Sequence, residues 1–182
     1  MKRHPFPSSP HVAALLAALT LAGATPARAA DTASGTARLN AQSITVAHGI
    51  GSLDAKKRNV TLGLFAAAPA PADAAAAATN GIDDTFGVTS PQKGAYVLLK
   101  LGFAAGAARA EHVSVCEINF YNFADSPLQT MWLGDEQCGV TELGGDLRPG
   151  GVVHGRLKGT GKESNKSYAW DVAFTTTLQS GK

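Results

Sequence analysis

Cysteine is scarce in this chain. Cys116 and Cys138 are its only two, too few for a four-cysteine zinc site or a disulfide-dense scaffold. After the first residue Met131 is the only methionine, which removes a Met-rich copper run. Charged residues make up 16% of the chain, below the usual quarter, so no long solvated or disordered charge block is available. No apolar run beyond residue 24 approaches the roughly 20 residues of a membrane span. No period of 20–50 residues recurs, which argues against solenoids and propellers. Gly-x-Ser-x-Gly, His-Glu-x-x-His and His-x-His are missing, as is a glycine-rich loop leading from a strand into a helix. The local signatures of α/β-hydrolases, zinc peptidases and nucleotide binders are therefore not present.

What the N-terminus does have is a leader. Lys2, Arg3 and His4 form a positive start, Val12–Ala24 is a short apolar run, and Ala27-Arg28-Ala29 is a small-x-small cleavage pattern. Residues 1–29 read as a secretory signal peptide and 30–182 as one mature domain, periplasmic or extracellular. No transmembrane segment is expected after the leader is removed. The full chain holds 16 Lys and Arg against 14 Asp and Glu. Losing Lys2, Arg3 and Arg28 leaves 13 against 14, a net charge of about −1. A nucleic-acid partner would ask for a basic excess, so none is expected.

The mature part reads as β-structure. In Tyr168–Leu178 the residues Tyr168, Trp170, Val172, Phe174 and Leu178 alternate with Ala169, Asp171, Ala173, Thr175 and Thr177. That is the period of a strand with one buried face, which needs a second apolar layer opposite. Similar alternation marks Thr36–Leu39, Ser43–Ile50, Val60–Phe65, Ala95–Ala105, Glu111–Phe123, Leu128–Leu133, Cys138–Leu143 and Val152–Lys158. Asn40-Ala41-Gln42 reads as a hairpin turn and Gly159–Lys166 as a polar hairpin loop. Glu111–Phe123 changes phase. Either a bulge near Ser114–Cys116 swaps its faces or both its faces are covered. The pattern predicts an all-β antiparallel sandwich of eight or nine short strands, with a small barrel as the alternative. The Ala/Pro-rich stretch 66–80 reads as an extended surface excursion, since Pro69 and Pro71 interrupt the alanine run and no stripe larger than alanine is there to dock it.

In an oxidising compartment Cys116 and Cys138 read as a structural disulfide, because a redox pair would sit in a Cys-x-x-Cys turn. His48, His112 and His154 are the weak metal candidates, scattered singly along the chain, so no metal and no cofactor is expected. Glu117, Asp125, Asp135, Glu136 and Asp171 are the carboxylates a hydrolase would have to pair across a cleft. Aromatic and polar side chains gather between the cysteines: Asn119, Tyr121, Asn122, Asp125, Trp132, Asp135 and Glu136 form the candidate binding surface. Tyr121 and Asp125 have the opposite parity to Ile118 and Phe120, which points them away from the core. The expected function is a non-catalytic binding or envelope-associated module, with a protein, a glycan or another envelope component as partner. A protein inhibitor or accessory role fits its size. The alternative is a hydrolase or metal-dependent enzyme built from dispersed residues.

Overall fold

The computed structural model describes residues 31–56, 58–88, 94–123, 126–133 and 139–181, apart from the side chains of Ser126 and Trp132. Residues 1–29, expected to be a signal peptide, lie outside them. Ten strands and two short helices follow one another: β1 (Thr32–Leu39), β2 (Gln42–Val46), β3 (His48–Asp54), β4 (Asn59–Phe65), α1 (Pro71–Asn80), α2 (Ile82–Phe86), β5 (Tyr96–Gly102), β6 (Val115–Phe123), β7 (Ser126–Leu133), β8 (Val140–Gly145), β9 (Val152–Glu163) and β10 (Lys166–Ser180). The protein is all-β, as its alternation predicts. The first layer has the order β2-β1-β10-β9-β8, and the second runs β3-β4-β5-β6-β7. Every ladder is antiparallel except one: Leu178–Ser180 at the end of β10 runs parallel to Gly51–Leu53 of β3 and joins the layers. No ladder connects the outer strands β2 and β7, so the sheet is not a closed barrel.

β10 organises both layers. Tyr168, Trp170, Val172, Phe174, Thr176 and Leu178 are all buried, as a half-buried strand requires. They face Val60, Leu62 and Leu64 of β4, Val97, Leu99 and Leu101 of β5, and Ile118 and Phe120 of β6, which form one core with them. Burying each large side chain contributes about 1.5–3 kcal/mol. The aromatics fit because β9 carries glycines opposite them: Gly155 pairs with Phe174, Gly159 with Trp170 and Gly161 with Tyr168. A Cβ on Gly159 would stand 2.5 Å from Trp170 Cζ2, and one on Gly161 would meet Met131 Cε at 2.7 Å. These glycines had read as loop. In the structure β9 continues through them to Glu163, and Ser164-Asn165 alone makes the turn, with Ser164 at φ 52°.

Three other expectations change. The run Ser43–Ile50 is two strands and not one, because the chain crosses between layers at Ala47, whose N–H donates to Phe65 O at 2.9 Å. This raises the count to ten and places His48 opposite Phe65, exposed, while Ile44 and Val46 stay in the core. β6 has no bulge near Ser114–Cys116. Its ladder with β5 runs in unbroken register from Val115 to Tyr121, and both its faces are covered. The excursion at 66–80 contains a helix. Pro71 occupies the first helical turn, where it costs no hydrogen bond, and Asp73 favours the dipole there. Alanine supplies propensity, and Ala77 is fully buried where α1 packs near β3 and β10. Docking, not an intrinsic apolar stripe, stabilises it.

The glycine gap under Trp170 is testable. Gly159→Ala should lower the unfolding free energy by about 1–3 kcal/mol in urea titrations, the usual cost of overpacking. Gly94→Ala, with nothing within 4 Å of its Cβ, should leave it unchanged.

Candidate functional site

The two layers differ in what covers their outer faces. On the second layer the register lays out rows of residues across the strands. One row is Phe65, Tyr96, Tyr121 and Leu128. It is apolar, and the two helices sit on it: Ala77, Ile82 and Phe86 pack with Phe65, Tyr96, Leu98 and Tyr121 into a second, smaller core. Phe65 and Phe86 lie 5.0 Å apart between ring centroids, and Tyr96 stacks on Tyr121 at 4.9 Å with the rings 2° from parallel. Tyr96 Oη donates to Phe86 O at 2.9 Å, tying α2 to the sheet. Burial pushes the Tyr121 phenol up to about 12, helped by Tyr96, Asp83 and Glu117, so it stays neutral.

The same face turns polar toward its other end. Thr61, Lys100 and Glu117 share a row, and the Trp132 position falls opposite Glu117. Lys100 Nζ lies 3.4 Å from Asp83 Oδ2 of α2 and 3.5 Å from Glu117 Oε1. Asn119 Nδ2 donates to Glu117 Oε1 at 2.6 Å, and Thr130 Oγ1 donates to Asn119 Oδ1 at 2.6 Å. Thr61 Oγ1 approaches Asp83 Oδ2 at 3.5 Å. The result is one continuous chain from Thr130 to Thr61 that clamps α2 onto β4, β5 and β6. Desolvation raises the Asp83 carboxyl above its ordinary 3.8, and Lys100 opposes that rise.

Among the described residues no helix lies on the outer face of the first layer. Thr32, Ser34, Thr36 and Arg38 of β1 point outward beside Ser43 and Thr45 of β2. Ala169, Asp171 and Ala173 of β10 follow, then Arg156, Lys158, Thr160 and Lys162 of β9. Arg156 Nη2 donates to Asp171 Oδ1 at 2.7 Å and its Nε at 3.1 Å; Lys158 Nζ stands 3.7 Å from Asp171 Oδ2. A shallow open groove of about 410 Å³ crosses this face between Arg38 and Lys158. A separate cleft of about 460 Å³ lies at the seam between β7 and the β9–β10 hairpin, lined by Met131, Leu133, Thr160 and Lys162 among others.

The predicted surface residues divide between these places. Asn119 and Tyr121 are brought together on the second layer, but both are buried, at 3% and 7% exposure. Parity correctly turned Tyr121 away from Phe120; the helices then covered it. Asn122 is exposed at φ 57°, with its Nδ2 donating to Gly94 O at 3.3 Å. Asp125, Asp135, Glu136 and Cys138 lie outside the described residues. Cys116 is fully buried at the start of β6 and is not a free thiol. His48, His112 and His154 are exposed on β3, in the loop before β6 and on β9, and among the described residues no three His, Cys, Asp or Glu side chains are placed to hold a metal. Glu117 and Asp171 sit on opposite outer faces, with the core between them. Lys100 and Asp83 are not among the residues expected at a binding surface. Lys100 shares a face with Tyr96 and Leu98, but its partner comes from α2, a five-residue helix beyond the alanine run. The chain matches no family model, no curated protein and no solved structure.

The clamp carries an expectation. Glu117 keeps only 12% exposure and loses its counter-ion in Lys100→Met, which should cost about 1–3 kcal/mol of unfolding free energy. Asp83 differs because its folded pKa is raised: its contribution to stability is present at acid pH and is lost as pH rises from 3.8 through the folded value. Asp83→Asn should therefore flatten that part of the stability–pH curve and change neutral-pH stability by less than about 0.5 kcal/mol. Urea titrations across pH 3–7 measure both; a larger loss in Asp83→Asn than in Lys100→Met would contradict the assignment.

Proposed function

We propose that this protein is exported and acts as a binding module, docking an envelope component through the outer face of its first layer. One observation carries the reading. The second layer's outer face is covered by α1 and α2, whereas among the described residues the first layer's is open along four strands and presents Arg38, Arg156, Lys158 and Lys162 against the single carboxylate of Asp171. In a mature chain with a net charge of about −1, four of the thirteen Lys and Arg side chains stand on that face and give it a local positive excess. Such a field steers a negatively charged partner and fixes its orientation.

The competing hydrolase reading draws on convergent carboxylates. Asp83 and Glu117 do converge, but Lys100 stands between them, and Glu117 accepts from Asn119 as well. Both carboxylates serve the attachment of α2. Export rests on the charged start, the apolar run and Ala27-Arg28-Ala29. With it goes a Cys116–Cys138 disulfide, tethering the segment after β7 to the start of β6. In the chain-entropy account a bridge of that span contributes on the order of 3 kcal/mol.

Two measurements check the proposal. Intact mass of protein from its native host should show residues 1–29 removed, and alkylation without reductant should add nothing. Retention of full mature protein on a washed envelope fraction should fall with added salt and be lost in Arg38→Glu/Lys158→Glu, while Arg148→Glu, an exposed change on the β8–β9 turn, should leave it intact. Equal retention of all three proteins would overturn the assignment of the face, and a retained leader would overturn export.

A further inference from the structure

We infer that the groove across β2, β1, β10 and β9 is a subsite for an acidic polysaccharide, seating a carboxylate-bearing sugar between Arg38 and Lys158. The inference rests on the reading of the first layer's outer face as the binding surface, and names the partner. Its geometry comes from the register. Arg38 pairs across to Ala169, which pairs to Thr160; Thr36 pairs to Asp171, which pairs to Lys158. Arg38 and Lys158 thus stand diagonally on either side of β10, two strand spacings across and two residues along, roughly 11–12 Å between their Cα atoms. Ala169 lies between them. Its methyl leaves the middle of the face low and makes the trough.

The polar groups around the trough match a sugar acid. Among the described residues Arg38 pairs with no carboxylate, so its planar guanidinium is available to grip one in bidentate fashion. Thr36, Ser43 and Thr160 line the same groove with hydroxyls that both donate and accept. Asp171, oriented by Arg156, offers an acceptor to a sugar hydroxyl. Along β9, Arg156, Lys158, Thr160 and Lys162 all point outward at every second residue, roughly 6.6 Å apart, giving a line of positive charge beside the trough. A polymer with repeated negative charges can follow that line.

The face also argues against other polyanions and surfaces. Its exposed side chains are polar or small; the exceptions among the described residues are Val152, half-buried at the start of β9, and Trp170, which lines the groove but is only 5% exposed. Protein interfaces concentrate their energy in large exposed anchors, single-stranded nucleic acids need aromatic platforms, and membrane-surface binding needs an apolar face to insert. Pockets for small molecules enclose most of their ligand, whereas this groove is shallow and open, as suits a chain passing through.

The test is calorimetric and NMR titration of the mature, disulfide-intact protein with oligogalacturonate, and with the same oligosaccharide methyl-esterified so that its charge is gone. Binding is expected for the acid form alone, weakening with salt, with shifts confined to Arg38, Ser43 and the facing positions on β9 and β10. Arg38→Ala and Lys158→Ala should each weaken it about tenfold or more, the weight of a hydrogen bond to a charged group. Ala169→Gln keeps every cation but fills the trough, and should also weaken binding; if it does not, the protein is only an ion exchanger and the subsite is wrong. No binding of the acid oligosaccharide, equal binding of the ester, or tighter binding of a DNA duplex of equal charge would overturn the inference. If oligogalacturonate fails while Arg38→Glu/Lys158→Glu still abolishes envelope retention, the polysaccharide is wrong and the binding face stands. If both fail, the face itself is wrong.

Discussion

The fold depends on large aromatics laid across glycine gaps. Tyr168, Trp170 and Phe174 of β10 project into the core; Gly159 and Gly155 on the adjacent strand leave the room that the rings of Trp170 and Phe174 occupy, and Gly161 leaves room for Met131. Close packing leaves no slack for a methyl group there, so the β9–β10 register is fixed by volume as well as by hydrogen bonds. Because β10 is long enough to leave β1 and meet β3 with its last residues, that register propagates into the second layer. Phe120 of the second layer closes on Tyr168 at 5.3 Å between centroids, which sets the layers against each other at one end.

From this arrangement the two outer faces acquire different roles. Sheet faces that carry Phe65, Tyr96, Leu98 and Tyr121 cannot remain in water without cost, and the α1–α2 segment is the cover. Its helices bring Asp83 to Lys100, so the charge on the second layer is spent inside the molecule. The first layer's outer face is lined by small hydroxyl and methyl side chains that need no cover. Its cations outnumber its carboxylate, and they are turned to solvent. An asymmetry of packing thus becomes an asymmetry of electrostatics, and the binding proposal follows from it.

Alternation alone determined much of this. The buried face of β10 and the sandwich class follow from period-2 patterns, which strand geometry converts directly into faces, and turn chemistry placed the turn at Asn40. Parity also placed Tyr121 opposite Phe120. Parity says which side a residue takes, however, and not what lies on that side. That Tyr121 is buried was decided by two helices whose docking needs only Ala77, Ile82 and Phe86, too sparse a signal beside Pro69 and Pro71. The glycines at 159 and 161 misled for a similar reason: a local reading sees turn formers, while their purpose is a contact with Trp170 and Met131, both brought there from other strands. The first layer's groove was illegible because Arg38 and Lys158 are 120 positions apart in sequence and become neighbours only through the β1–β10–β9 ladder. Composition and period set the class of fold; long-range register decided which polar residues meet, because that choice depends on pairings no local window contains.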